Sequence, residues 1–244
     1  MDDLITTLRH HCQGAAHGPK YLQLAQAIET VIRQRVLAPH DFLPAERVMA
    51  EGLGLSRVTV TKAIAQLEKQ GLVIRQQGIG TRVAQHLDYS LNAEPGFTAQ
   101  VEREGGQVSN QWLLRVKLKA PALIASSLGI ASGAPIAKLR RIRLVDGVPV
   151  SLETTYIPEQ YLPDPAQLEH SLYALWESRG IRAARKTFSL KALACTAEVA
   201  EWLNIQAGAP LMRIKQLSYG PDDSLLEYSE TLCRSDIYEI EFNA

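Results

Sequence analysis

The run Leu43-Pro-Ala-Glu-Arg-Val-Met-Ala-Glu-Gly-Leu-Gly-Leu-Ser-Arg-Val-Thr-Val-Thr-Lys-Ala-Ile-Ala-Gln-Leu-Glu-Lys-Gln-Gly-Leu-Val73 constrains this chain more than any other part of it. It spells two helices joined by a tight turn. Residues 45–53 form a short helix that begins after Pro44 and stops at Gly54, where a residue without a Cβ turns the chain sharply. Ser56 is placed to accept a first-turn N–H and start the next helix, which Gly71 ends. Val60, Ala63, Ile64 and Leu67 recur at helical spacing and predict a buried stripe, leaving Val58, Thr61, Lys62, Ala65 and Lys69 outside. That outer face carries no acid, and its threonine, lysines and small residues suit a major groove lined by phosphates.

Residues 72–83 then read as two short strands around Gly78-Ile79-Gly80. Glycines let such a wing approach a sugar-phosphate edge, and Arg75 and Arg82 flank its tip with charge for phosphates or a minor groove. A helix-turn-helix pair also occurs in structural bundles, and a Gly-x-Gly turn alone is weak. The uninterrupted order of leading helix, turn, Ser-Arg-started helix and glycine wing points to double-stranded DNA as the partner.

At these residues the chain resembles the GntR family of bacterial transcription regulators. The resemblance rests on a leading amphipathic helix over residues 21–35, Leu43-Pro-Ala-Glu-Arg47, Leu55-Ser-Arg-Val-Thr-Val60, Leu67-Glu-Lys-Gln-Gly-Leu-Val73 and Gln77-Gly-Ile-Gly-Thr81. It implies that Arg47 and Arg57 contact DNA, with Thr59 beside them and Gly78 and Gly80 at the minor groove. Where many members carry an arginine two residues after that threonine, this chain has Thr61 followed by Lys62, so base preference there is expected to shift.

The formal charge of zero conceals an asymmetry: residues 1–84 hold 10 Lys and Arg against 7 Asp and Glu, and the remainder 16 against 19. Positive charge thus sits with the helix-turn-helix, and the acidic remainder is expected to do something other than hold DNA. At 244 residues the chain is long enough for a small module plus a larger one. The organisation read from the sequence is a flexible tail over 1–18, a winged helix-turn-helix over 19–84, a linker over 85–96 and a second domain over 97–244. His10-His11-Cys12 is read as part of that mobile tail rather than a metal site. Three cysteines at spacings of neither a disulfide framework nor a zinc site fit a reducing cytoplasm. No signal peptide and no bilayer-spanning apolar run is visible, so no membrane partner is expected.

The second domain carries an internal echo, since Leu128-Gly-Ile-Ala-Ser-Gly-Ala-Pro-Ile136 returns as Leu203-Asn-Ile-Gln-Ala-Gly-Ala-Pro-Leu211. Each copy follows a helical stretch and precedes a strand (137–145, 212–219), a turn and another strand (150–157, 225–233). Two copies make a pseudo-symmetric α+β domain, with one antiparallel sheet and helices over 171–179 and 196–203 covering a face. Each second strand carries one acid, Glu153 and Glu227, at corresponding places where a shared cavity is expected. Arg141 and Arg143 project from one strand face, either as surface charges or as a fork for phosphate or carboxylate.

This half resembles the effector-binding domain of the HutC branch of GntR regulators, the chorismate-lyase-like fold called UTRA. The match rests on residues 139–153, Ser171-Leu-Tyr173 and Leu226-Glu-Tyr-Ser-Glu-Thr-Leu-Cys-Arg234. It implies that Arg141 and Arg143 with Ser171 and Tyr173 hold an anionic group such as a sugar phosphate, while Glu153 and Glu227 take polar groups of the remainder. Cys233 stands where several sugar-phosphate-binding members carry a tyrosine. The expectation is a homodimeric regulator, most simply a repressor, with a small-molecule effector and no cofactor or metal. No nucleophile-His-acid set is visible, and His170 is the only histidine beyond residue 100, so catalysis is not expected.

Overall fold

The chain divides into two units, Met1–His86 and Leu87–Ala244, and the computed structural model describes residues 2–14, 18–76, 78–91 and 96–241. Gln77 of the wing motif, residues 15–17 of the expected tail and residues 92–95 of the expected linker lie outside the described residues.

In the first unit four helices precede a two-stranded wing: α1 (Asp2–Gly14), α2 (Lys20–Arg33), α3 (Glu46–Leu53), α4 (Arg57–Lys69), β1 (Val73–Gln76) and β2 (Gly80–Val83). The turn between α3 and α4 forms as its residues dictate. Gly54 adopts a left-handed φ of +66°, and the Ser56 hydroxyl accepts the Thr59 N–H at 3.2 Å. Val60, Ala63, Ile64 and Leu67 are fully buried against Leu24, Ile28 and Val31 of α2 and Met49 of α3. The wing strands pair antiparallel, and Phe42 adds a bridge to Arg82.

The expected tail is otherwise. Residues 2–14 are helical, and Ile5 and Leu8 join the head's core. Gly52 on α3 lets them approach, since a Cβ there would stand 2.8 Å from the Ile5 Cγ2, and the Arg9 guanidinium donates to the Gly52 carbonyl in the last turn of α3. Apolar residues one helical turn apart bury one stripe even in a stretch that is otherwise polar, so the flexible-tail expectation for 1–18 fails at least over 2–14.

In the second unit β3 (Leu87–Ser90) and α5 (Phe97–Arg103) lead into β4 (Val108–Lys119), α6 (Ala122–Leu128), β5 (Pro135–Val145) and β6 (Val148–Pro158). Then follow α7 (Leu172–Ser178), β7 (Arg185–Ala194), α8 (Ala197–Leu203), β8 (Pro210–Tyr219), β9 (Leu225–Arg234) and β10 (Tyr238–Glu241). Six of these strands form one antiparallel sheet in the order β4-β5-β6-β9-β8-β7. The internal echo is therefore real in three dimensions: each copy supplies three strands, and β6 meets β9 at the centre.

Two expectations are corrected here. The helices do not share a face. Leu172 and Trp176 of α7 pack on Leu139 and Ile157, whereas Val199 and Leu203 of α8 pack on Ile142 and Leu152, residues that a pleat sends to the opposite side. The stretch 85–96 is not all linker either, because β3 pairs parallel to β10, Leu87 against Tyr238 through Glu241 against Ser90. Leu87 and Leu91 are buried there with Val101, Val145 and Ile237.

Candidate functional site

On the head, Arg57, Val58, Thr61, Lys62, Ala65 and Lys69 all lie exposed on the outer face of α4, as the periodicity predicts. Arg57 and Lys62 have no ion-pair partner among the described residues. Ser56 and Thr59 are partly engaged with each other, their hydroxyls 2.8 Å apart. Arg47 pairs with Glu51 one turn away at 3.1 Å, both side chains more than 60% exposed. Such a pair contributes little and opens readily when a phosphate competes. Gly78 and Gly80 lie exposed in the wing turn, and Arg82 is half-buried with Nη1 3.3 Å from the His40 Nδ1.

The wing arginine Arg75 is not a free charge at the tip. Its Nη2 lies 3.2 Å from the Glu46 Oε1 and donates to the Thr61 carbonyl at 3.0 Å, and its Nε stands 3.7 Å from the Glu68 Oε2. The Thr61 hydroxyl donates to the other Glu46 oxygen. So α3 supplies an acid, Glu46, to the outer face of α4, in addition to the helix's own exposed Glu68. Glu46 sits inside the Leu43-Pro-Ala-Glu-Arg47 run, but no spacing within α4 points to it.

In the second unit, Arg141, Arg143, Glu153, Ser171, Tyr173 and Glu227 all line one cleft of about 780 Å³, its mouth included. Strand alternation brings the strand residues together: Arg141 pairs in register with Glu153, Glu153 with Thr231, and Glu227 lies on the same face of β9. Lys186 and Gln216 on the neighbouring strands, and Tyr89, Phe97 and Tyr238 on the wall, complete it. The sequence reading missed these because Lys186 and Gln216 reach the cleft only through the sheet order that sets β8 and then β7 beyond β9, and a wall drawn from β3, α5 and β10 has no local signature.

The arginines are neither surface charges nor an empty fork. Arg141 and Arg143 are 2% and 7% exposed, and Glu153 lies between them, accepting from the Arg141 Nε at 2.8 Å and the Arg143 Nε at 2.9 Å. Burial pushes the Glu153 carboxyl up, but the two guanidiniums outweigh it and bring it down to about 2. Burial, then repulsion from Arg143, pulls Arg141 down to about 10. One carboxylate between two cations leaves the group net positive, and Lys186 adds a third cation. Each cation stands over a ring: Arg141 over Trp112 at 5.0 Å, Arg143 over Phe97 at 4.9 Å and Lys186 over Tyr173 at 4.6 Å.

Glu227 belongs to a second network. Its Oε1 accepts from the Tyr173 hydroxyl, from the Ser218 hydroxyl at 2.8 Å and from the Gln216 Nε2 at 2.8 Å. Burial raises its carboxyl, and the hydrogen bonds from Tyr173 and Ser218 offset part of that rise. Ser171 caps α7 by accepting the Ala174 N–H at 3.3 Å. Burial pushes the Cys233 thiol up, away from the thiolate that nucleophilic chemistry needs. These groups can hold and orient a polar molecule.

Comparisons with known proteins agree with both halves. The model for bacterial regulatory proteins of the gntR family matches residues 20–83, and the UTRA domain model matches residues 103–239. The chain is 32% identical over 235 residues to the HTH-type transcriptional regulator GgaR of Escherichia coli strain K12, covering 96% of this chain and 95% of that one. It is 30% identical over 224 residues to the HTH-type transcriptional repressor NagR of Bacillus subtilis strain 168, covering 90% and 92%. Among solved structures, PhnF from Mycobacterium smegmatis superposes with a TM-score of 0.70 at 30% identity, over 88% of this chain and 100% of that one. The family and these relatives are regulators rather than enzymes. A winged helix-turn-helix head followed by a pseudo-symmetric UTRA sheet thus makes this chain a member of the GntR family of bacterial DNA-binding transcription regulators, in its HutC branch.

Proposed function

We propose that the protein is a cytoplasmic, homodimeric repressor whose operator affinity changes when a small anionic metabolite, of the class of sugar phosphates, occupies the second unit's cleft. The observation that carries this reading is the charge of the cleft. Arg141, Arg143 and Lys186 line it with two acids, Glu153, which the arginines hold ionised, and Glu227, whose carboxyl burial raises. The Tyr173–Glu227–Gln216 network beside them offers oriented donors and acceptors for hydroxyl or amine groups. Tyr89, Leu91, Phe97 and Thr98 of the wall belong to the segment that follows the head directly in the chain. A ligand against them biases that segment, and it acts on DNA only through different affinities for two arrangements of the heads. The repressor sign is supported by NagR and by the probable fructoselysine utilization operon transcriptional repressor of Shigella flexneri, 27% identical over 226 residues.

On the head, Arg47, Arg57, Thr59, Thr61 and Lys62 would face the major groove and the Gly78–Gly80 turn the minor groove. No helix among the described residues is long and apolar enough to cross a membrane. Calorimetry with phosphorylated sugars, amino-sugar phosphates and histidine-pathway acids, followed by operator release with whichever binds, tests the effector. A ligand that binds equally well to Arg143→Ala refutes the anion site. Sedimentation of residues 87–244, a fragment that retains β3, tests the dimer. A monomeric fragment beside a dimeric full chain moves the interface to the head.

A further inference from the structure

The Thr61 hydroxyl has one proton and two acceptor lone pairs, and by itself such a group serves either kind of base edge. Here the proton is already committed. It goes to the Glu46 Oε2, and a carboxylate only accepts, so the hydrogen bond cannot reverse. The acceptor is itself held: the Glu46 Oε1 meets the Arg75 Nη2 at 3.2 Å, and that same nitrogen donates to the Thr61 backbone carbonyl at 3.0 Å. The circuit from Thr61 hydroxyl to Glu46 to Arg75 and back to the Thr61 carbonyl ties α4 to α3 and β1. It fixes which way the hydroxyl points. Thr61 is on the exposed face near the start of α4, beside Val58, Lys62 and Ala65, where a recognition helix reaches base edges.

We propose that Thr61 reads DNA as an obligate hydrogen-bond acceptor, made so by Glu46, and selects an amino-bearing base, adenine or cytosine, on the strand it faces. In the major groove adenine presents its N6 amine and cytosine its N4 amine, whereas guanine and thymine present keto oxygens at those places. Each base pair has one amino and one keto partner, so the device separates A·T from T·A and C·G from G·C. It does not separate A from C. Arg75 is then a positioning residue that fixes Glu46 and offsets its charge beside the phosphates, which accounts for a wing arginine turned inward. The inference rests on α4 lying in the major groove, as proposed above.

The test is selection from randomised half-sites by the full chain and its Arg57→Ala, Thr61→Val, Thr61→Ser and Glu46→Gln variants, each checked for an unchanged melting temperature. The parent should show one position per half-site restricted to A or C on one strand. Thr61→Val should lose that restriction alone and bind the parent's best site about three- to tenfold more weakly per half-site, the worth of one neutral hydrogen bond. Thr61→Ser should keep it. Glu46→Gln should admit G or T at that same position, because an amide can donate to the Thr61 oxygen and free its proton. The inference is overturned if Thr61→Val retains every preference, if the position it governs is G or T in the parent, or if Glu46→Gln keeps the A-or-C restriction. Should Arg57→Ala bind as tightly as the parent, it is the placement of α4 that fails.

Discussion

Replacing Glu153 by glutamine keeps the side chain's size and hydrogen-bonding capacity but removes the one negative charge that Arg141 and Arg143 share. Its carboxyl is held at about 2 against an ordinary 4.5. That displacement corresponds to about 3 kcal/mol in favour of the folded state at about 1.4 kcal/mol per tenfold change in proton affinity. Removing one member of a buried ion pair costs about 3–5 kcal/mol, and glutamine's hydrogen bonds place this variant at the lower end. The second unit should therefore melt about 6–12 °C lower at neutral pH. Because the folded pKa is depressed, the contribution is complete above the unfolded value of 4.5 and disappears as the pH falls towards about 2. The parent should thus lose more stability than the variant over that interval. All three tryptophans, Trp112, Trp176 and Trp202, lie in this unit, so their fluorescence follows its unfolding in the full chain. With the carboxylate gone, the two guanidiniums should also bind an anionic effector more tightly. A variant that melts with the parent, or repeats its acid profile, refutes the electrostatic account. Weaker effector binding would mean that Glu153 itself grips the ligand.

Glu227→Gln should behave oppositely. Burial raises that carboxyl, so the protonated form is favoured on folding and stability falls as pH rises through the raised pKa. Denaturation at pH about 8 should find the variant at least as stable as the parent, and a loss like that of Glu153→Gln would contradict the assigned direction. Leu8→Ala should destabilise the head by about 2–5 kcal/mol, read as faster amide exchange in α2 and α4, because this side chain is buried in its core. A mobile tail predicts no change. Arg57→Ala should weaken binding to a selected operator by about 1–3 kcal/mol per half-site in a salt-matched titration.

Where the sequence was legible, the information was local or repeated. The stripe Val60, Ala63, Ile64 and Leu67 is a periodicity within one helix, and all four residues are fully buried as their spacing requires. Gly54 and Ser56 make their turn and cap from their own chemistry. The echo of Leu128–Ile136 in Leu203–Leu211 carried the second unit's strand–turn–strand order. Alternation along β5 was enough to put Arg141 and Arg143 on one face. The weak stripe of Leu4, Ile5 and Leu8 was equally local, but a polar background and His10-His11-Cys12 concealed it.

The sequence alone therefore determined the head, the hairpins, the α+β class, the shared face of Arg141 and Arg143 and the matching places of Glu153 and Glu227, whereas Ser171 and Tyr173 came only from the family resemblance. The former residue-level readings follow from short spacings, which backbone geometry converts directly into faces, and from the internal echo. Only the tertiary structure decided what each charge meets. Thr61 takes its acceptor from another helix 15 residues away, Glu153 closes the arginine fork across a strand pair, and β3 finds β10 nearly at the far end of the chain. α7 and α8 go to opposite sides of the sheet because the strands beneath them bury alternate residues. An ion pair or hydrogen bond between distant segments leaves no periodicity, since it depends on where packing brings two side chains and not on how far apart they are in the chain.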